Sequence, residues 1–344
     1  MSSVTSILAD FATLSRAEKN TLIKCLASMV SVSAGDLGKY VADERFSGGV
    51  ACPHCGGRHV VRQGHRNDGT QRYLCRECGK TFVPTSKTIV SGSRYGLSVW
   101  EKYVGCMIDG LSVRKAATVC GIHRNTAFAW RHKILGALQK MADSVKLDGI
   151  VEADETFFPV SYKGNHRKGS FVMPRRAHKR GKSVRVRGLS REQVCVPCAV
   201  NRNGLSLAKA SNVGRVATRN LHAVYDSRFS SDCVLVTDKM NAYTRFANKN
   251  GISLIQLKGG KAQKGIYNIQ HINNYHSQLK RFMYGFNGVS TKHLNNYLTW
   301  HNFVNYAKGS AIDKKAILLR FSLTQNMVLH VKDIAKKPAL PFAV

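Results

Sequence analysis

The chain has 344 residues, enough for two or three domains with at least one sizeable core. Its 53 Lys and Arg against 20 Asp and Glu leave a net charge of +33 and a pI near 10.1, so a polyanion such as nucleic acid is the expected partner. No stretch approaches the about 18 to 20 uninterrupted apolar residues of a membrane span, and Asp10, Arg16, Glu18 and Lys19 interrupt any signal-peptide core. A soluble intracellular protein is expected, in which ten cysteines do not read as a disulfide framework.

Residues 1–45 read as a helical segment without chemistry of its own. Ser15 and Glu18 have capping-box spacing, and Leu22, Ile23, Leu26, Met29 and Val30 share one face, which suits packing or dimer contact. Residues 46–88 are rich in Gly, Cys and turn formers. Cys52-Pro-His-Cys55 is followed after nineteen residues by Cys75-Arg-Glu-Cys78, and each pair is followed by Gly. At that spacing four thiolates close on one structural zinc ion, with Gly letting the backbone turn beneath the sulfurs. Such a ribbon is too short to build its own core, so the metal supplies most of its folding free energy, on the order of 10 kcal/mol. His54, His59 and His65 are alternative ligands that the four cysteines make unnecessary. Cys195-Val-Pro-Cys198 lies in an apolar strand with no second knuckle nearby, and together with Cys25, Cys106, Cys120 and Cys233 it reads as core.

Residues 95–140 predict three helices. Ser98 and Glu101 suggest a capping box, Trp100, Tyr103, Val104 and Met107 an apolar stripe, and Gly110 a stop. A short helix, a turn at Cys120-Gly121-Ile122 and a second helix follow, with Ala117 small enough for a close crossing and Ala116, Ile122, Ala127 and Trp130 facing inward. This is the pattern of a helix-turn-helix. Its second helix would present His123, Arg124, Asn125, Phe128, Arg131 and Lys133 outward, mixing cations for phosphates with groups that read bases.

From 148 to 310 apolar strands alternate with helical patterns, predicting an α/β domain. The first strand, 149–158, puts Glu152 and Asp154 on one face and Glu155 on the other. A hairpin through Asn201–Gly204, a helix near 214–226, a strand 233–237 ending at Asp238, a strand 253–258 and a long helix near Ile272 follow. This is the element order of a ribonuclease-H-like core. Aspartates at two strand ends can bring hard oxygen ligands to a sheet edge for a pair of magnesium ions. Asn273 stands 35 residues beyond Asp238, and Lys280, seven further on, shares its helix face. Residues 163–187 carry ten Lys or Arg and no acid, a basic insertion suited to clamping DNA through Arg175, Arg176, Lys179, Arg180 and Lys182. Residues 311–344 read as a C-terminal tail.

The ribbon, the helix-turn-helix and the Asp154, Asp238, third-ligand, Lys280 series together resemble bacterial insertion-sequence transposases of the DDE class, in the zinc-ribbon group called insertion-sequence family fifteen-ninety-five, with its ISXO-type domain. The likeness runs from about Leu14 to Tyr306 and includes Asp154-Glu-Thr-Phe-Phe and the stretch Tyr267 to Phe282. It implies a prokaryotic enzyme, cytoplasmic and associated with the nucleoid. Such an enzyme binds its element's terminal inverted repeats, nicks the ends and joins the 3′ hydroxyls to target DNA, working as a homo-oligomer with two Mg²⁺ (or Mn²⁺) per site. No membrane partner is implied. Asn273 stands where most such enzymes carry Glu, as in the family's amide-bearing subgroup, and an amide oxygen ligates without adding charge. His271, Asn274 and His276 are the other candidates for that place. An inactivated transposase, or a zinc-ribbon and helix-turn-helix regulator that leaves Asp154, Asp238 and Lys280 idle, is the competing class.

Overall fold

The computed structural model describes residues 37–165, 172, 190, 192–258, 263–306 and 313–342. The Ser15–Val30 helix and the basic residues Arg175, Arg176, Lys179, Arg180 and Lys182 lie outside that set. The chain divides into two compact units, one formed by 1–137 with 307–330 and the other by 138–306 with 331–344.

The first unit begins with helix α1 (Leu37–Arg45) and a three-stranded antiparallel ribbon, β1 (Val60–His65), β2 (Gln71–Cys75) and β3 (Thr81–Phe82). Behind the strands Phe46, Tyr73 and Phe82 form an aromatic wedge, with Tyr73 5.5 Å from Phe46 and 5.4 Å from Phe82. These rings and two cysteines are nearly all the core the ribbon has. Helices α2 (Leu97–Ile108), α3 (Val113–Cys120) and α4 (Arg124–Ala142) follow. Ser112 caps α3 by accepting from the Lys115 N–H, and Gly121 turns the chain out of α3 at φ 63°, a left-handed conformation that glycine adopts without strain. Trp130 of α4 stacks on Trp100 of α2 at 3.7 Å, and Ala116, Ala127 and Ile134 close the interior. The capping box expected at Ser98 and Glu101 is not used: α2 starts after Gly96 without a side-chain cap.

In the second unit a mixed sheet has the spatial order Ser206–Ala208, Gln193–Asn201, Ile150–Pro159, Val234–Asp238, Ser253–Leu257, and Asn212–Val213 also pairs with Gln193–Asn201. The strands are β4 (Ile150–Pro159), β5 (Gln193–Asn201), β6 (Ser206–Ala208), β7 (Asn212–Val213), β8 (Val234–Asp238) and β9 (Ser253–Leu257). The first three pair antiparallel, as hairpins allow, while β4–β8 and β8–β9 are parallel and need crossovers. Helices α5 (Thr218–Tyr225) and α6 (Asn241–Asn250) supply those crossovers, and they bury Leu221, Tyr225, Tyr243 and Phe246 against Val151, Ala153, Cys195 and Leu235. Cys195, Cys198 and Cys233 are core residues, as expected. Alternation along a strand then turns Glu152, Asp154 and Val236 to the opposite face, which α7 (Gln270–Tyr284) packs against. Helix α8 (Leu294–Asn305) completes this unit's long helices.

Residues 311–344, read from sequence as a tail, carry α9 (Lys314–Thr324) and α10 (Val331–Lys336). Asp313 caps α9 by accepting from the Ala316 N–H, and the helix buries Leu318, Leu319 and Leu323 within the first unit. There Lys315 pairs with Glu101 at 2.8 Å and Arg320 with Glu44. No helix of the described residues is long and apolar enough to cross a membrane.

Candidate active site and metal centre

The ribbon brings the Sγ atoms of Cys52, Cys55, Cys75 and Cys78 within 4.8 Å of one another, and the pairs Cys52–Cys78 and Cys55–Cys75 stand 3.7 Å apart. Four sulfurs held on zinc at about 2.3 Å define a tetrahedron with edges of about 3.8 Å, so the cluster has the size of that ion's shell. Gly56 and Gly79, each just past the second cysteine of a knuckle, take positive φ of 81° and 69°, and the N–H groups of His54 and Gly57 point at Cys52 and Cys55 from 3.4 Å. Backbone N–H groups of Cys78 and Glu77 also lower the Cys75 thiol, toward the thiolate that a metal requires. Among the described residues this is the one group of three or more His, Cys, Asp or Glu at mutual ligating distance.

The second site follows from strand register. Ala153 pairs with Thr237 across parallel strands, so the next residues, Asp154 and Asp238, stand level on neighbouring strands with side chains toward the same face. Burial, together with the charge of Asp238, pushes the Asp154 carboxyl up to about 6 even though Lys280 opposes the shift. Burial raises Asp238 too, and its Oδ1 is enclosed without a hydrogen-bond partner. Two carboxylates held side by side, short of partners and costly to ionise, are what a bound cation relieves. On the other face of β4, Glu155 is pushed up to about 7 by burial while accepting a 2.6 Å hydrogen bond from the Tyr243 hydroxyl.

Helix α7 brings the rest, and Glu152 sets its position. This carboxylate, with its side chain 1% exposed, accepts from the His271 N–H at 2.7 Å, the Ile272 N–H at 3.1 Å and the His271 ring at 2.8 Å, and pairs with Arg202 at 3.2 Å. It therefore acts as the N-terminal cap of α7 from 119 residues away. His271, a candidate third ligand, is engaged there instead. The helix so anchored places His276 Nδ1 3.8 Å from Asp154 Oδ2, too far for a hydrogen bond, and leaves His276 Nε2 buried without one. Burial and the neighbouring Lys280 pull His276 down to about 4. Asn273, one turn before His276, is exposed, as are Asn274 and Lys280. Thus Asp154, Asp238, His276 and Lys280 converge, and Asn273 stands on the adjoining helix face. The capping role of Glu152 was missed in sequence because its partner is distant; its only local signal was an acid inside an apolar strand.

The expected DNA readers divide. His123, just ahead of α4, and Arg124, Asn125 and Phe128 on its first two turns are exposed. Arg131 is not outward: it is fully buried and donates to the Leu111 carbonyl at 2.6 Å. Lys133 is half-buried, its Nζ 3.3 Å from the Ile89 carbonyl and its pKa lowered by burial. The physical reason is that α4 is enclosed on more sides beyond its second turn, where Ile134 and Leu135 are also buried.

A thiolate ribbon ahead of a mixed α/β core with paired aspartates at adjacent strand ends is the layout of an enzyme of DNA transposition. Residues 146–303 match the ISXO2-like transposase domain, and residues 37–81 match the transposase zinc-ribbon domain. The chain belongs to this zinc-ribbon family of DDE-class transposases. It is 26% identical over 266 residues to an uncharacterized protein in transposable element ISH50 of Halobacterium salinarum, spanning 75% of this chain and 86% of that one. Two solved structures also align weakly. The crystal structure of a pre-cleavage Mos1 transpososome shares 11% identity over 91% of this chain and 99% of its own, with a TM-score of 0.21. A Mos1 transposase paired-end complex with left transposon end shares 12% over 70% and 78%, with a TM-score of 0.17.

Proposed function

We propose that this transposase binds the terminal inverted repeats of its insertion sequence and cuts and joins DNA strands at the Asp154–Asp238 edge of a ribonuclease-H-like domain spanning 148–310. The observation that carries this is the level pairing of the two aspartates on parallel strands, with the enclosed, unpartnered Asp238 Oδ1 beside a carboxyl held up to about 6. Two Mg²⁺ (or Mn²⁺) ions, when bound, activate water or a 3′ hydroxyl and stabilise the leaving oxygen during in-line displacement. Asp154 and Asp238 hold them, with the Asn273 amide as the third protein ligand. Lys280, two turns along the same face, grips a phosphate beside them and offsets the carboxylates' mutual repulsion. The reaction uses no covalent protein intermediate, so no side-chain nucleophile is called for.

The remaining parts serve DNA placement. Residues 46–88 form a ribbon folded on one structural zinc, and 95–140 act as a helix-turn-helix whose His123, Arg124, Asn125 and Phe128 face DNA. The basic insertion 163–187 clamps DNA near the metals, and the enzyme assembles as a homo-oligomer on the element ends in the prokaryotic cytoplasm. The test is cleavage of end DNA: Asp154→Ala and Asp238→Ala should each abolish Mg²⁺-dependent nicking while keeping end binding. Retained nicking in either variant removes that residue from the site.

A further inference from the structure

Helix α7 buries Ile272, Tyr275, His276, Leu279 and Met283, which leaves Asn273, Ser277, Lys280, Arg281 and Tyr284 along an exposed face. The face carries an amide, a hydroxyl and two cations, and it ends in a ring that is 84% exposed. No acid occurs anywhere from Lys239 to Ile312. Just past the helix, Lys163 Nζ is held by the carbonyls of Gly288 at 3.0 Å and Asn287 at 3.4 Å, which adds a fixed cation at the same end. At about 1.5 Å per residue, Tyr284 lies roughly 12 Å along the axis from His276, the length of three to four stacked nucleotides at about 3.4 Å each.

We infer that this face of α7 is a track for a single-stranded segment of the DNA end leaving the cleavage site, with the Tyr284 ring as a stacking platform for one of its bases. The assignment rests on the carboxylate site proposed above, which the track would feed. Single-stranded DNA fits better than duplex because a free aromatic face can stack only on a base that its own neighbours leave uncovered, whereas the cations would serve either. A base three to four nucleotides from the scissile phosphate would meet the ring.

The test uses Tyr284→Trp in the full chain. Trp100, Trp130 and Trp300 are all buried, at 1%, 4% and 0% exposure, so the new indole is the exposed reporter. Element-end duplexes with and without a single-stranded flank are titrated while anisotropy of a label on the DNA follows binding independently. Quenching of the exposed indole by the flanked DNA, and little by the blunt form, is expected. Tyr284→Ala should weaken flanked DNA by roughly five- to a hundredfold and Tyr284→Phe by less than about twofold. Unchanged emission at saturated binding, or equal quenching by both DNAs, overturns the track. Nicking by Asp154→Ala, assayed in parallel, tests the carboxylate site separately: a variant that nicks normally sinks that site whatever the indole reports.

Discussion

Glu152→Ala removes the anchor of the helix that faces the aspartates, and its cost can be built from the contacts. Two backbone N–H groups at a helix start lose a charged acceptor, an N-cap loss of about 1 to 2 kcal/mol. The His271 ring and Arg202 lose their partner as well. Because Arg202 is about one-third exposed, water recovers part of that term. The sum is about 3 to 4 kcal/mol, in the range for truncating one member of a buried ionic cluster. Glu152→Gln keeps the acceptor and loses the charge, costing about half as much, and His271→Ala, which leaves both backbone bonds intact, costs about 1 kcal/mol. Hydrogen exchange read at His271–Asn274 is the local assay. Protection there should fall by roughly a few hundredfold in Glu152→Ala and far less in His271→Ala, with nicking lost in the former as α7 shifts. Protection within about fivefold of wild type in Glu152→Ala, or a larger loss in His271→Ala, refutes the capping account.

Metal analysis should find one zinc per chain, and Cys75→Ser should unfold the ribbon and weaken DNA binding; under half an equivalent of zinc in fresh protein contradicts this. Asp154 holds its proton to about pH 6 in the native state and to about pH 4 unfolded, so native stability without added divalent metal should fall as pH rises between those values. Asp154→Asn should lessen that slope, leaving the share that Glu155, pushed up to about 7, contributes, and at pH 7 stabilise the protein by about 2 kcal/mol while abolishing nicking; an unchanged slope in urea titrations argues against it. Arg124→Ala should erode preference for element ends over random DNA in a binding assay and leave the melting temperature unchanged. Arg131→Ala should instead lower stability by about 2 to 4 kcal/mol, since it orphans the Leu111 carbonyl and opens a cavity. Equal melting temperatures for the two variants would remove Arg131 from its structural role.

What could be read in the sequence was local. The four cysteines announce their cluster because the spacing of the two knuckles sets its geometry, and Asp154 and Asp238 stand out because each ends or interrupts an apolar strand. Pairing across the chain was not legible. Nothing near Glu152 signals a partner 119 residues on, and nothing near Lys315 or Arg320 signals Glu101 or Glu44. Arg131 misled for a related reason: helical periodicity ranks faces by polarity, and it does not show that this guanidinium reaches back to the Leu111 carbonyl from inside. Of the histidines weighed beside Asn273, only packing separates His271, which holds the cap, from His276, which looks toward Asp154.

The central claim is that Asp154 and Asp238 share a divalent-metal site on the face that α7 covers, and metal-directed cleavage of the protein itself tests it without knowledge of the element's ends. With Fe²⁺ in place of Mg²⁺ and ascorbate and peroxide added, the backbone should be cut near Asp154, near Asp238 and between Asn273 and His276, and excess Mg²⁺ should suppress all three cuts. Asp154→Ala should lose them together. Cuts confined to the cysteine ribbon, or a pattern unchanged in Asp154→Ala, would contradict the account.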